Sequence, residues 1–168
     1  MCVCNDFNVK DCFKNYTLNQ LQQYVKENTR PFGVGIFNLK GSLNTGNIIR
    51  TAAAFSAADF FIIGNRQFDR RSLVGAGNYI NVVYMEEYNI DIINSLGYYP
   101  VFIEQGGKDI NTFIPKGKPL LIFGNEATGI PEKYLTEEHY SITQTGVIRS
   151  LNVSSAAAIA INIICLII

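Results

Sequence analysis

Hydrophobic positions along this chain switch between helical spacing and short continuous runs. After Thr17, a residue suited to cap a helix, Leu18, Leu21 and Val25 share one helical face, and Asn28 and Pro31 end the pattern. Residues 34–37 form a short apolar run that predicts a strand. A loop over residues 38–45 leads into a second helix, on which Ile48, Ala52 and Phe55 share a face. Residues 60–63 are apolar without interruption, as in a parallel strand buried on both sides. Residues 66–78 read as a polar, glycine-containing loop, 81–84 as a strand, 90–96 as a short helix and 100–103 as another strand. A polar connection over residues 106–118 precedes the cleanest buried strand, residues 120–123. Pro131 stands where the first residue of a helix is expected. Residues 140–142 predict a short strand, and the apolar run from Leu151 predicts the last helix. Strands alternating with helices predict one α/β domain with a mostly parallel sheet and flanking helices. Residues 1–16 show no period, so residues 1–31 read as an N-terminal tail and helix ahead of that domain.

Composition changes this picture little. With 48% hydrophobic and 17% charged residues the chain is a folded domain, not a disordered one. Formal net charge is zero, which argues against bulk attraction to polyanions but leaves room for a local basic patch. Arg66, Arg70 and Arg71, with Lys40 and Arg149, could form one; solvated loop charges are the competing reading. Cys2, Cys4, Cys12 and Cys165 match no common zinc spacing, and the single histidine, His139, is distant in sequence, so no metal is expected. The thiols read as reduced and the first residues lack a signal-peptide pattern, so the expected location is cytoplasmic. Residues 156–168 are very apolar, but the run is shorter than the roughly 20 residues of a membrane span and Asn162 interrupts it. A buried last helix is expected, no membrane partner, and a homodimer to cover its excess apolar surface.

Three segments carry candidate chemistry, each of small and polar residues at a strand–helix junction. They are Asn44-Thr45-Gly46-Asn47-Ile48-Ile49-Arg50-Thr51-Ala52, Phe123-Gly124-Asn125-Glu126-Ala127-Thr128-Gly129-Ile130-Pro131, and Ile142 followed by Ser150-Leu151-Asn152-Val153-Ser154. Open α/β sheets build their sites at such junctions. In this order the segments resemble the three motifs of the SpoU (TrmH-like) RNA ribose methyltransferases of the SPOUT superfamily, over roughly residues 32–168. The resemblance implies a methyltransferase domain over 32–168 whose segment from about residue 120 is threaded as a C-terminal trefoil knot. It also implies S-adenosylmethionine as cofactor, a homodimer, and methyl transfer to a ribose 2′-oxygen of tRNA or rRNA, with tRNA the expected substrate. The chain departs from the family pattern in two places: Thr143-Gln144 stand where relatives commonly have Pro and Met, and Ser56 where they commonly have Gly.

The resemblance assigns Arg50, Asn44, Glu126, Ser150 and Asn152 to the catalytic site. It assigns Ile103, Gly124, Asn125, Ile142, Ser150 and Leu151 to the cofactor pocket. The family role for Arg50 is activation of the ribose 2′-hydroxyl. A guanidinium stays protonated, so the preferred role is to grip the phosphate beside the target ribose and stabilise the developing alkoxide. Asn44 could orient Arg50 or that phosphate, or only cap its helix. Glu126 could order the active-site loop or Arg50, or only accept hydrogen bonds from the following turn. Ser150 could position donor or ribose, or only cap the last helix. Asn152 is expected to hold the knot loop by side-chain hydrogen bonds. Gly124 and Gly129 allow the close backbone approach that an adenine pocket needs. Two other readings stand beside this one. The first is a catalytically inactive knotted RNA- or cofactor-binding module. The second is a dinucleotide enzyme, which ranks last because no Gly-x-Gly-x-x-Gly follows the first strand.

Overall fold

The computed structural model describes residues 9–37, 42–64, 75–135 and 139–168. Among these residues, six strands form one sheet: β1 (Arg30–Phe37), β2 (Ala57–Ile63), β3 (Asn81–Met85), β4 (Tyr98–Asp109), β5 (Lys118–Phe123) and β6 (Tyr140–Ser141). Their order is β3-β2-β1-β5-β4-β6, and every neighbouring pair is parallel. The helices are α1 (Leu18–Glu27), α2 (Ser42–Ala54), α3 (Ile90–Ser95) and α4 (Val153–Ile167). No helix among the described residues is long and apolar enough to cross a membrane.

The pleat sorts the continuous apolar runs onto two faces. Phe60, Ile62, Val101, Ile103, Leu121 and Phe123 turn to one side, where Ile48, Ile49 and Ala52 of α2 and Ala157, Ala160, Ile161 and Ile164 of α4 cover them. Phe61, Ile63, Phe102, Leu120 and Ile122 turn to the other, against Ile93 of α3 and Ile130. A strand buried on both faces has no polar alternation, which is why these runs are unbroken. By contrast α1 buries only Leu21, and a capping box between Thr17 and Gln20 holds its first turn.

A polar contact fixes the end of α4. The Arg30 guanidinium donates to the carbonyls of Cys165 and Ile168, each at 2.7 Å, satisfying acceptors that the end of α4 leaves open. Ser56, just past α2, adopts φ 59°. That left-handed geometry favours glycine, so the Ser at this position is a strained choice.

Several element bounds differ from the sequence reading. β1 reaches back to Arg30, so Pro31 opens a strand, at the register shift between Arg30 and Gly33 where a missing N–H costs least. α2 starts at Ser42, which places Asn44 inside the first helical turn and not in a loop. β4 continues to Asp109 through what reads as a polar connection, because its far half pairs only with the short edge strand β6 and needs no apolar residues. Pro131 opens a 3-10 turn (Glu132–Tyr134), not an α-helix. α4 starts at Val153 with Asn152 as its cap, so neither Leu151 nor Ser150 begins the helix. Cys2, Cys4, Lys40, Arg66, Arg70 and Arg71 lie outside the described residues.

Candidate cofactor pocket and active site

A cavity of about 720 Å³ opens at the carboxyl ends of β4 and β5. That volume is in the range of small-molecule pockets, and the location is where open parallel sheets bind ligands. All six residues expected to form the cofactor pocket line it: Ile103, Gly124, Asn125, Ile142, Ser150 and Leu151. They come from β4, from the turn after β5 and from the segment between β6 and α4.

The turn after β5 is a compact loop closed by its own backbone. Asn125 and Gly129 exchange two N–H···O=C bonds, at 3.1 and 2.8 Å, and the Asn125 side chain accepts the Ala127 N–H. Two glycines are required here. A Cβ on Gly124 would lie 2.4 Å from the Gly129 carbonyl carbon, and Gly129 itself has φ 65°. Glycine at these two positions is therefore what lets the loop close on itself at the wall of the cavity.

One hydrogen-bonded chain ties the three segments together. The Asn44 amide donates to Glu126 Oε1 at 2.8 Å, and the Asn152 amide donates to Asn44 Oδ1 at 3.2 Å. Asn152 in turn accepts from the Ser154 N–H and hydroxyl, capping α4. Asn44 is thus neither a cap for its own helix nor a partner of Arg50. It bridges the turn after β5 to the start of α4, across 82 and 108 residues of sequence.

A model of the SpoU rRNA Methylase family matches residues 31–162. This chain belongs to the SpoU rRNA methylase family. A candidate tRNA (cytidine(34)-2′-O)-methyltransferase of Geobacillus stearothermophilus is 30% identical over 140 residues, which cover 76% of this SpoU chain and 89% of that protein. The mouse tRNA (guanosine(18)-2′-O)-methyltransferase TARBP1 is 32% identical over 133 residues, 70% of this chain but only 8% of that much longer protein. Among solved structures, the A. aeolicus TrmH/SpoU tRNA-modifying enzyme superposes with a TM-score of 0.73 at 18% identity, over 89% of this chain and 81% of that one. The SpoU methyltransferase AviRb from Streptomyces viridochromogenes in complex with the cofactor AdoMet gives 0.70 at 23% identity, over 84% and 60%. The two structural likenesses establish the SpoU fold.

Within this SpoU fold, Glu126, Ser150 and Asn152 line the cavity, and Asn44 reaches it through Glu126. Arg50 does not line it. It is exposed further along α2. Sequence reasoning missed two residues, Glu104 and Gln105, which directly follow Ile103 and line the cavity. The available signal was their place directly after the apolar run expected to end at Ile103; in the structure β4 runs through them to Asp109. Of the departures from the family pattern, Thr143 turns away from the cavity and donates to Asp109 Oδ2 at 2.6 Å, whereas Gln144 lines the wall. That hydrogen bond, with those from Asn111, holds the Asp109 carboxyl below the usual range.

Proposed function

We propose that this chain is an S-adenosylmethionine-dependent ribose 2′-O-methyltransferase acting on RNA, with tRNA as the substrate. The observation that carries this reading is the convergence of the three segments. Glu126, Asn44 and Asn152, one from each, form a single hydrogen-bonded chain beside the cavity. Membership of the SpoU family and relatives named as tRNA 2′-O-methyltransferases support both activity and substrate.

The residues present fit the cofactor. Ile103, Ile142 and Leu151 supply apolar walls for an adenosine, and the Gly124–Gly129 cradle gives bare backbone for a base edge. Asn125 and Ser150 add polar groups at the same wall. When bound, S-adenosylmethionine supplies an already activated methyl group, so the protein's work is alignment and charge stabilisation. Arg50 grips the phosphate beside the target ribose and stabilises the negative charge that grows on its 2′-oxygen. Ser150 and the Glu126–Asn44–Asn152 chain hold the ribose and the rim of the pocket in place. No metal is required for this step.

The same reading places the methyltransferase domain from the start of β1 at Arg30, two residues ahead of the boundary expected at 32, through residue 168, with residues 1–29 as an added tail and helix, in a cytoplasmic protein. The insertion of β5 between β1 and β4, with the return of α4 onto α2, supports threading of the C-terminal segment as a trefoil knot. The exposed Ile159, Leu166 and Ile167 on α4 support a homodimer, as does exposed Ile148. Sedimentation at micromolar concentration is expected to give a dimer mass, and a monomer mass would contradict it.

The direct experiment incubates the purified protein with bulk tRNA and methyl-labelled donor under single-turnover conditions, then maps 2′-O-methyl positions. Label on a ribose 2′-oxygen is the expected result. Binding of S-adenosylhomocysteine without any transfer would select the inactive binding module instead, and binding of neither cofactor form would end the assignment.

A further inference from the structure

We propose that Glu104 and Gln105 are paired positioning residues that hold the two loops of the donor pocket in register. The proposal deepens the donor-pocket reading above and rests on it for its ligand. Just past the last residue of β4 that pairs with β5, the pleat sends these neighbours to opposite sides. Glu104 shares the side of Phe102 and reaches the turn after β5, where its Oε2 accepts the Ile130 N–H at 2.9 Å. Gln105 goes the other way, and its amide donates to the Arg149 carbonyl at 2.8 Å, in the segment that carries Ser150 and Leu151. One strand therefore grips both loops that form the pocket wall.

The contacts need a hydrogen-bond acceptor on one side and a donor on the other. Glu104 also accepts the Gln105 N–H through Oε1, at 3.0 Å, so each oxygen already serves a backbone donor. A Cβ on Gly129 would come within 2.8 Å of Oε2, so the loop is packed directly on this side chain. Ile130 is almost fully buried, and its N–H has no access to bulk water as a substitute acceptor. Gln105 meets an exposed carbonyl, which water can serve, so its share is the smaller. The loop gripped by Glu104 carries Glu126, so the same contact sets the start of the Glu126–Asn44–Asn152 chain.

The test uses the full chain with S-adenosylhomocysteine as calorimetric probe, and amide hydrogen exchange on the unliganded protein. Glu104→Ala is expected to speed exchange at the Ile130 amide and to weaken the probe by about tenfold or more, as for loss of a hydrogen bond to a charged acceptor. Glu104→Gln keeps an acceptor oxygen and should recover most of both losses. Glu104→Asp keeps the charge but falls short in reach and should lose a comparable part, which covers the case in which the alanine variant does not fold. Gln105→Ala should weaken the probe by only about threefold. In turnover assays the donor KM should rise while kcat at saturating donor changes little. Unchanged Ile130 exchange and probe affinity in the alanine and aspartate variants would overturn the proposal. So would a Glu104→Gln as defective as Glu104→Ala, or a loss for S-adenosylmethionine at least tenfold larger than for the homocysteine compound, since either makes charge and not position the cause. If the wild-type protein binds neither compound, the donor-pocket reading fails, and the exchange measurement still decides the clamp.

Discussion

The two ends of this sheet use carboxylates in opposite ways. At the amino end, Asp59 of β2 accepts from the Tyr98 hydroxyl of β4 and from the Asn81 amide of β3 at 2.7 Å. Lys118 of β5 lies 3.6 Å from the same carboxylate and 3.9 Å above the Tyr98 ring. Every partner is a side chain rooted in a strand. Burial, with the Asp59 hydrogen bond, pushes the Tyr98 hydroxyl well above the ordinary phenol range. At the carboxyl end, Glu104 accepts backbone N–H groups and Glu126 accepts an amide from α2. Apart from Gln105 of β4 itself, those partners belong to a loop and a helix start at the cavity. The first arrangement cross-links strands. The second shapes an opening, so its contacts set function more than stability.

The sharpest test of that contrast is also the largest expected effect. Arg50→Lys should lower kcat by on the order of 10²-fold, because lysine keeps the charge but loses the planar fork. Homocysteine-compound affinity should stay near wild type, since Arg50 does not line the cavity. Near-normal turnover would sink its catalytic role, and a large loss of affinity would place it in the wrong site. Asn44→Ala comes next: by removing the bridge between Glu126 and Asn152 it should cut kcat by about tenfold while global stability shifts by about 1 kcal/mol or less.

Asp59→Ala should do the reverse. With the Tyr98 hydroxyl and Asn81 amide left unpartnered, denaturant melts should show a loss of about 2–3 kcal/mol, with probe affinity per folded molecule unchanged. Equal effects of the Asp59 and Asn44 variants on both readouts would erase the distinction between the two ends. Ser56→Gly should stabilise the fold by about 1 kcal/mol, by relieving the left-handed serine. No change in its melting midpoint would mean the strain is relaxed elsewhere.

The smallest effect is a pH dependence. The Asp109 carboxyl is depressed mainly by Thr143, so the stability it contributes is present above the unfolded Asp value, about 3.9. It is lost as pH falls through the lower folded value. The stability gap between wild type and Thr143→Val should therefore be constant near neutrality and close below about pH 4. A gap that persists unchanged into stronger acid would mean the carboxylate plays no part in it.

Patterning along the chain was enough to predict the α/β class and the buried strands at 60–63 and 120–123. Unbroken apolar runs follow from burial on both faces, and the motif residues carry their chemistry in their identities. It failed where a contact replaced a local rule. Asn152 and not Ser150 caps α4, although both residue types suit a helix start. β4 runs on through polar residues because an edge strand supplies its hydrogen bonds. Asn44 faces Glu126 and Asn152, and no period along the chain encodes that. The clamp of Glu104 and Gln105 was invisible for the same reason. Its partners are the Ile130 backbone N–H and the Arg149 carbonyl, groups that every such residue carries and that acquire meaning only where the fold sets them down. Local patterning decides which segments become strands and helices; which loops meet at the end of the sheet is decided by the packing of elements far apart in the chain.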